Sequence, residues 1–235
     1  MLSAALIKQQ ILKPTNTLKS LIGPKPALVA LWPARGEVAR NWGDKLNPWI
    51  VSRLSGRRVV NSSTVFLRAV PTVHAVVGSH IGRITTPNTK IFGVGFLRRT
   101  DQLRVSVQAS CAVRGYHTAE KLRDRLDVKS IAIGDAALLM TLLYRPQPGK
   151  QYKIGIIPHF REVELPIFRS LANDNAINVI SITDSIEGFC EQVHSCETIV
   201  SSSLHGAILA HAFGIPATLV SVSELPLGDG FKLRD

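Results

Sequence analysis

The segment of the sequence with the clearest capacity for chemistry is residues 197–216, ETIVSSSLHGAILAHAFGIP. A strand is predicted to end in the three serines at 201–203, after which an alanine-rich helix begins around His205. The free N–H groups and the dipole at a helix N-terminus attract an anion, and the serine hydroxyls add hydrogen-bond donors. The pattern therefore favours an anion-binding site that includes His205. The alternative is that His205 only caps the helix or packs against it, which is the commoner role of a lone histidine.

A second strand-to-helix turn carries an arginine. In the segment 111–125, CAVRGYHTAEKLRDR, the predicted strand ends at Val113, and Arg114 and Gly115 form the turn before a helix. A guanidinium at such a turn can bind a carboxylate or a phosphate through two parallel hydrogen bonds. A solvated arginine is equally consistent with this position, so Arg114 alone does not define a site.

Further polar groups are expected at other strand and helix ends. Asn41 and Asp44 stand at the start of a helix predicted at 44–54, with Gly43 between them. Asp44 is expected to cap that helix, and Gly43 would let the backbone approach a ligand closely. Asn41 or Asp44 would alternatively orient a hydroxyl group of a ligand. His159 follows the first strand of the C-terminal half and is expected to line a cleft.

The elements that must position these groups alternate between short apolar strands and helices. Strands are predicted at 27–32, 73–77, 90–96, 105–113, 130–133, 152–157, 178–182, 198–202 and 217–220. Helices are predicted at 44–54, 117–126, 165–173, 186–196 and 204–213. Such alternation indicates an α/β fold with parallel sheets, in which ligands lie beyond the carboxyl ends of the strands.

The domain organisation is predicted from one linker signal. Two prolines and a glycine fall within RPQPGK at 145–150, and the strand–helix alternation starts again after it. The prediction is therefore an N-terminal basic extension at 1–27, a Rossmann-like lobe at 28–145 and a second Rossmann-like lobe at 146–235. The two lobes are expected to face a central cleft.

Composition narrows the classes of partner. The 235 residues include 28 Lys+Arg and 17 Asp+Glu, which gives a formal net charge of +11 and favours anionic ligands. Nucleic acid is disfavoured because aromatic residues are only 6% of the chain and do not interleave with the basic ones. Phosphorylated small molecules or an anionic membrane surface fit better. The basic, weakly amphipathic residues 1–27 predict a surface helix or, alternatively, a contact with a membrane surface.

Several kinds of active site are disfavoured by missing motifs. The chain has no P-loop, no GxSxG and no HExxH, and Gly93 and Gly95 form a GxG without the third glycine of a dinucleotide fingerprint. Its three cysteines form no CxxC pair, which argues against a zinc site and against a disulfide framework. A reducing, cytoplasmic setting is therefore expected.

Five short motifs follow one another along the chain in an order typical of one family. They are NWGD at 41–44 with LNPW at 46–49, VRG at 113–115 with Thr118, GD at 134–135, IGIIPH at 154–159 and SSLHG at 202–206. In these motifs the sequence resembles the polysaccharide pyruvyl transferases, and most closely the branch that acts in bacterial exopolysaccharide biosynthesis. The resemblance covers residues 41–235.

The resemblance implies a two-lobed fold like that of GT-B glycosyltransferases. It also implies transfer of the enolpyruvyl group of phosphoenolpyruvate (PEP) to a sugar as a pyruvate ketal, with release of phosphate. His205 would then donate a proton to PEP, Arg114 would bind its anionic groups, and Asp44 would orient an acceptor hydroxyl. With the positions described above, the expected substrate-binding set is Arg114, Ser202, Ser203, Leu204, Gly206, Asn41, Gly43 and His159.

No metal or organic cofactor is expected from this resemblance. The expected partners are PEP and a sugar or lipid-linked oligosaccharide acceptor, with a peripheral contact at the inner membrane face and no nucleic acid. The alternatives are a GT-B glycosyltransferase that uses a nucleotide sugar and a non-catalytic glycan-binding module.

Two features depart from the family pattern. Ser203 stands where many members have an arginine, so one phosphate-binding charge is expected from another residue, for example Arg161. Family members also continue with further helices beyond the position of Asp235, so a truncated C-terminal lobe is expected.

Overall fold

A computed structural model describes residues 4–126, 131–147 and 149–235, with side chains from residue 12 onward. The chain divides into two compact units. The first unit comprises residues 1–34, 47–136 and 235, and the second comprises residues 35–46 and 137–234. Each unit contains a parallel β-sheet with helices, so the predicted α/β class with two Rossmann-like lobes is confirmed.

The first unit contains a six-stranded sheet with the strand order β2-β1-β3-β4-β5-β6, in which all neighbours are parallel. Its strands are β1 (Leu28–Ala30), β2 (Val59–Asn61), β3 (Val73–Ala75), β4 (Thr89–Phe92), β5 (Ala109–Val113) and β6 (Ala132–Ile133). Its helices are α1 (Ala4–Leu21), the greater part of α2 (Trp42–Ser55) and α3 (Tyr116–Leu122). Buried Val29 and Val73 on adjacent strands pack with Val65 and Val70 in one apolar cluster.

The second unit contains a four-stranded parallel sheet with the order β10-β9-β7-β8. Its strands are β7 (Tyr152–Ile157), β8 (Ile177–Val179), β9 (Cys196–Ser201) and β10 (Ala217–Leu219). Its helices are α4 (Met140–Leu143), α5 (Pro166–Leu171), α6 (Ile186–His194), α7 (Leu204–Ala212) and α8 (Phe231–Arg234), together with the first residues of α2.

The strand order of the second unit creates a switch point beside β7. The chain passes from β7 to β8 on one side and then returns to place β9 on the other side, where Ile157 pairs with Ser201. In open parallel sheets, ligands bind outside the carboxyl ends of the strands at such a point. A ligand-binding site is therefore expected at the loops that follow Ile157 and Ser201.

The boundaries of the two units differ from the sequence-based ones. The second unit begins at Ala137, before the proline-rich stretch, and it also includes residues 35–46, which the sequence assigned to the first lobe. The reason is the side chain of Trp42, which is fully buried in the second unit and packs on Phe189 with ring centroids 5.1 Å apart. Burial of this large aromatic side chain places residues 35–46 in the second unit, although their neighbours in the sequence belong to the first.

The predicted elements are present within the described residues, most of them with shorter bounds. The one strand missed is β2, because Val59–Asn61 is too short to show a pattern of its own. Helix α2 begins at Trp42 rather than at residue 44, and β5 begins at Ala109 rather than at residue 105. Among the residues that the structure describes, no helix combines the length and the hydropathy needed for a membrane span.

Candidate functional site

The turn between β9 and α7 is held by the serine that ends the strand. The Ser201 hydroxyl accepts a hydrogen bond from the Ser203 amide at 3.0 Å and donates to the Ser203 carbonyl at 2.8 Å. Gly206 packs so closely that an added Cβ would lie 2.5 Å from Ser201 Oγ and 2.9 Å from Ile157 Cγ2. Glycine is therefore required there for α7 to sit against β7 and β9, which fixes the position of its first turn.

His205 lies in that first turn and is buried, with 7% of its surface exposed. Its imidazole packs against the backbone of Gly43, where an added Cβ would lie 2.1 Å from His205 Nδ1. The sequence predicted that Gly43 admits a ligand, whereas the structure shows that the group approaching Gly43 is the imidazole. Both residues belong to the second unit, so Gly43 and His205 form one local arrangement.

Four hydrogen bonds hold the segment that carries Gly43. The Trp42 amide donates to the Ile182 carbonyl at 2.9 Å, and the Trp42 indole N–H donates to the Ile186 carbonyl at 3.2 Å. Lys45 Nζ donates to the carbonyls of Thr183, at 2.9 Å, and Asp184. Burial lowers the pKa of Lys45 from its ordinary value. These contacts fix Gly43 against the loop after β8.

Asp44 and Asn41 are adjacent, but Asp44 does not cap the helix. Asn41 Nδ2 donates to Asp44 Oδ2 at 2.8 Å, and Asp44 is 8% exposed. The prediction of Asp44 as the N-cap is wrong because α2 begins two residues earlier, at Trp42, so Asp44 occupies the first helical turn. A carboxylate there interacts favourably with the helix dipole.

A buried carboxylate that the sequence analysis missed joins the two loops at the switch point. Glu162 is fully buried, and its carboxylate accepts hydrogen bonds from the hydroxyls of Ser202 and, at 2.6 Å, Ser223. Ser202 Oγ in turn accepts a hydrogen bond from the His159 amide at 2.8 Å. The signal available in the sequence was the position of Glu162 shortly after the end of β7, at the same sheet edge as His205.

His159 is held as a neutral imidazole. Its Nδ1 accepts a hydrogen bond from the Arg161 amide at 3.3 Å, which leaves the proton on Nε2. Burial, and then the charges of Lys232 and Arg161, lower the pKa of His159 from 6.5 to about 4. His159 is therefore suited to donate a hydrogen bond near neutral pH and is unsuited to supply a proton.

Acidification is expected to destabilise the protein through His159. In the unfolded chain this imidazole takes up a proton at its ordinary pKa of 6.5, but in the folded chain it does so only near pH 4. Between these values the unfolded state binds the additional proton, so the free energy of unfolding falls as the pH drops through this window. Urea unfolding at about pH 7 and about pH 5 should show a smaller loss for His159→Gln than for the wild type. Equal losses would contradict the prediction.

Arg114 lies in the first unit, in the turn between β5 and α3, and its guanidinium already has protein partners. Its Nε and Nη2 atoms donate to Asp235 Oδ2 at 3.2 and 2.8 Å, and the two side chains are 3% and 0% exposed. The remaining donors bind the carbonyls of Gly78 and Phe96 and the hydroxyl of Ser79. A carboxylate does occupy this turn, as the chemistry of Arg114 suggests, and it is supplied by the protein.

The carboxylate of Asp235 is bound on its other side by helix α3. The Thr118 amide donates to Asp235 Oδ1 at 2.7 Å and the Thr118 hydroxyl donates to Oδ2 at 2.8 Å. An added Cβ on Gly115 would lie 1.8 Å from the Asp235 carbonyl oxygen, so this turn has no room for a side chain. The role of Arg114 as a PEP ligand stays a prediction, and it would require an anion to replace Asp235.

The next feature is the arrangement of possible metal ligands and of the buried thiols Cys190 and Cys196. Within 4–126, 131–147 and 149–235, no three His, Cys, Asp or Glu side chains are grouped as metal ligands would be. Burial raises the pKa of the Cys190 thiol to about 12, and Cys196 is also buried with a raised pKa. Thiols in this state are poor nucleophiles.

The chain is similar in sequence to known proteins over the range that holds these residues. The family model for polysaccharide pyruvyl transferase matches residues 80–224, a range that includes His159 and the whole turn at 201–206. An uncharacterized protein of Acanthamoeba polyphaga mimivirus is 34% identical over 202 residues, which are 82% of this chain and 66% of the relative. The succinoglycan biosynthesis protein ExoV of Rhizobium meliloti is 29% identical over 196 residues, which are 78% of this chain and 57% of the relative.

The chain thus spans 66% and 57% of the lengths of these two relatives. The family match covers more than half of the chain and contains the switch point of the second unit. From this match we conclude that the chain belongs to the polysaccharide pyruvyl transferase family.

Proposed function

We propose that this protein transfers the enolpyruvyl group of PEP to a sugar of a polysaccharide, or of its lipid-linked precursor, as a pyruvate ketal. The observation that carries the proposal is the arrangement of His205 and His159 at the carboxyl ends of β9 and β7, the switch point of the second unit. Membership of the polysaccharide pyruvyl transferase family supports it. So does the similarity to a protein named for succinoglycan biosynthesis.

Binding of PEP requires groups that stabilise a phosphate and a carboxylate. The charge of Lys232 acts on His159, so a cation is available close to the end of β7. Neutral His159 adds a hydrogen-bond donor, and the N-terminus of α7 favours an anion. Ser203 is the N-cap residue of α7, and its side chain makes no capping hydrogen bond, which suits its hydroxyl for a ligand. A cation, a neutral hydrogen-bond donor and a helix N-terminus together suit the phosphate and carboxylate of PEP.

The reaction begins with transfer of a proton from the His205 side chain to the methylene carbon of PEP. The adjacent carbon becomes oxocarbenium-like. One sugar hydroxyl then adds to this carbon, and a base accepts the proton of that hydroxyl. A neighbouring hydroxyl then attacks the same carbon, and the carbon–oxygen bond to phosphate breaks. The products are the ketal and inorganic phosphate, and the proton of the second hydroxyl leaves with the phosphate. Asp44, held by Asn41, is the proposed acceptor of a hydroxyl proton.

A lipid-linked acceptor agrees with the N-terminal region. The first acidic residue of the chain is Glu37, whereas four lysines and an arginine precede it. Helix α1 and the residue after it also expose Leu18, Leu21 and Ile22. Exposed apolar side chains flanked by lysines favour contact with an anionic membrane surface, where such an acceptor resides.

Release of phosphate from PEP tests the proposal. The protein is incubated with PEP and a lipid-linked oligosaccharide fraction in anionic vesicles, and phosphate is measured with and without the acceptor. Acceptor-dependent release together with a new ketal-bearing glycan is the expected result. Absence of PEP binding in a titration, or binding of a nucleotide sugar in its place, would overturn the proposal and favour a glycosyltransferase.

A further inference from the structure

A cavity in the second unit lies outside the carboxyl ends of β7 and β8, separate from the turn that carries His205. Its volume is about 830 Å³, and its lining includes Phe160, Arg161, Ser181 and Thr183. PEP is a three-carbon acid and fills only a small part of such a space. Cavities of this size accommodate ligands of the dimensions of a sugar or larger. The cavity is therefore suited to the larger of the two substrates.

Arg161 gives the cavity an unsatisfied cation. In the part of the chain that the structure describes, its guanidinium has no hydrogen-bond or ion-pair acceptor, and its Nε is shielded from solvent. The centroid of the Phe160 ring lies 5.8 Å from Arg161 Cζ. A shielded Nε–H without an acceptor is costly, so an anionic group of a ligand would stabilise it.

The acidic residues of the lining do not fill that role. Glu164 forms its ion pair with Arg169, on side chains that are 79% and 69% exposed. Glu37 is exposed, and its carboxylate is free to accept hydrogen bonds from sugar hydroxyls. Ser181 and Thr183 add hydroxyls, which are hydrogen-bonded to each other at 2.9 Å. The lining thus combines an aromatic face, two cations (Arg161 and the exposed Arg40) and several polar groups.

We propose that this cavity binds the acceptor as a saccharide that carries an anionic group, either a phosphoryl group or a uronic carboxylate. Arg161 binds the anion, and Phe160 packs against the C–H face of the sugar ring. Hydrogen bonds to the sugar hydroxyls come from Glu37, Ser181 and Thr183. This inference rests on the proposed function, since it names the acceptor side of that reaction. It assigns Arg161 to the acceptor rather than to PEP.

Calorimetric titration with three probes tests the assignment and distinguishes the source of the anion. The probes are glucose 1-phosphate, glucuronic acid and glucose. One of the two anionic sugars should bind about 10–100-fold more tightly than glucose, since hydrogen bonds to charged groups contribute that much. Arg161→Gln should lower the affinity for that sugar to the affinity for glucose. Arg83→Gln, an exposed arginine of the first unit, is the matched control and should change nothing.

A second variant separates this inference from the proposed function. Ser181→Trp places an indole in the cavity and should abolish binding of all three sugars while leaving the Kd for PEP unchanged. Sugar binding that survives Ser181→Trp, or no sugar binding by the wild type, overturns the cavity assignment even where PEP still binds. Loss of PEP binding in Arg161→Gln with sugar binding intact overturns it too. Sugar binding without any PEP binding would support the cavity and overturn the proposed function.

Discussion

His205→Ala is expected to lower the turnover of PEP by about 10²–10⁴-fold, which is the usual contribution of a general acid. The loss should fall on kcat, because the Ser203 hydroxyl and the Lys232 charge, which we propose to bind PEP, are untouched. Phosphate release under saturating PEP measures the effect, and circular dichroism verifies the fold. A rate near that of the wild type would remove His205 from the mechanism.

Gly43→Ala is the companion variant, because it moves the imidazole without removing it. In a helix, alanine is favoured over glycine by about 1 kcal/mol, so an exposed site would gain stability. Here the new Cβ would lie 2.1 Å from His205 Nδ1, so the ring must leave its position. We expect Gly43→Ala to be destabilised and nearly as inactive as His205→Ala. In the His205→Ala background the same change should be neutral or stabilising, and a loss of stability there would contradict the contact.

Asp235→Ala is expected to lower the free energy of unfolding by about 3–5 kcal/mol, the cost of leaving one member of a buried ion pair uncompensated. The Asp235 carboxylate is fully buried and is bound by Arg114 and by the amide and hydroxyl of Thr118. Its removal leaves the Arg114 guanidinium, 3% exposed, without a counter-charge. Urea unfolding measures the difference.

The control for the Asp235 variants is a solvent-exposed ion pair at the end of helix α3. Arg123 and Glu120 are 3.7 Å apart with side chains 67% and 66% exposed, so Glu120→Ala should leave the urea midpoint almost unchanged. Asp235→Asn keeps the shape and removes only the charge. If both Asp235 variants unfold at the wild-type midpoint, the pair does not stabilise the first unit.

The same ion pair decides how the predicted role of Arg114 can be tested. Arg114→Ala would leave Asp235 uncompensated, so a fall in PEP binding could arise from lost folding alone. The double variant with Asp235→Ala and Arg114→Met removes both charges together and should retain more stability than either single change. Its affinity for PEP then reports on Arg114 itself.

The sequence predicted the parts of the site that follow from local pattern. The strand, the serines and the helix at 197–216 have the predicted order, and the rule for parallel sheets brings the loops of His159 and His205 to one switch point. Arg114 was likewise predicted correctly at a strand end. These inferences succeed because apolar runs and turn residues act over a few neighbouring positions.

The rest depends on contacts between distant residues, which local patterns do not encode. Asp235 is 121 positions from Arg114, and nothing in its surroundings predicts an ion pair. Glu162 is a single acidic residue in a loop, and its burial follows from two serines, Ser202 and Ser223, that come far later in the chain. Residues 35–46 belong to the second unit because Trp42 packs on Phe189, which is far away in the sequence.

The second unit is discontinuous, because it combines residues 35–46 with residues 137–234. On the ribosome, the segment with Trp42 is therefore synthesised long before α6, which supplies the Phe189 ring that covers it. Strand β7 likewise pairs with β9 across a connection that contains β8 and α6, and such non-local parallel pairing is slow. The sheet of the first unit can form earlier, since its last strand ends at Ile133. The nascent chain thus presents an uncovered indole to chaperones, and the contact of Gly43 with His205 is expected to be among the last to form.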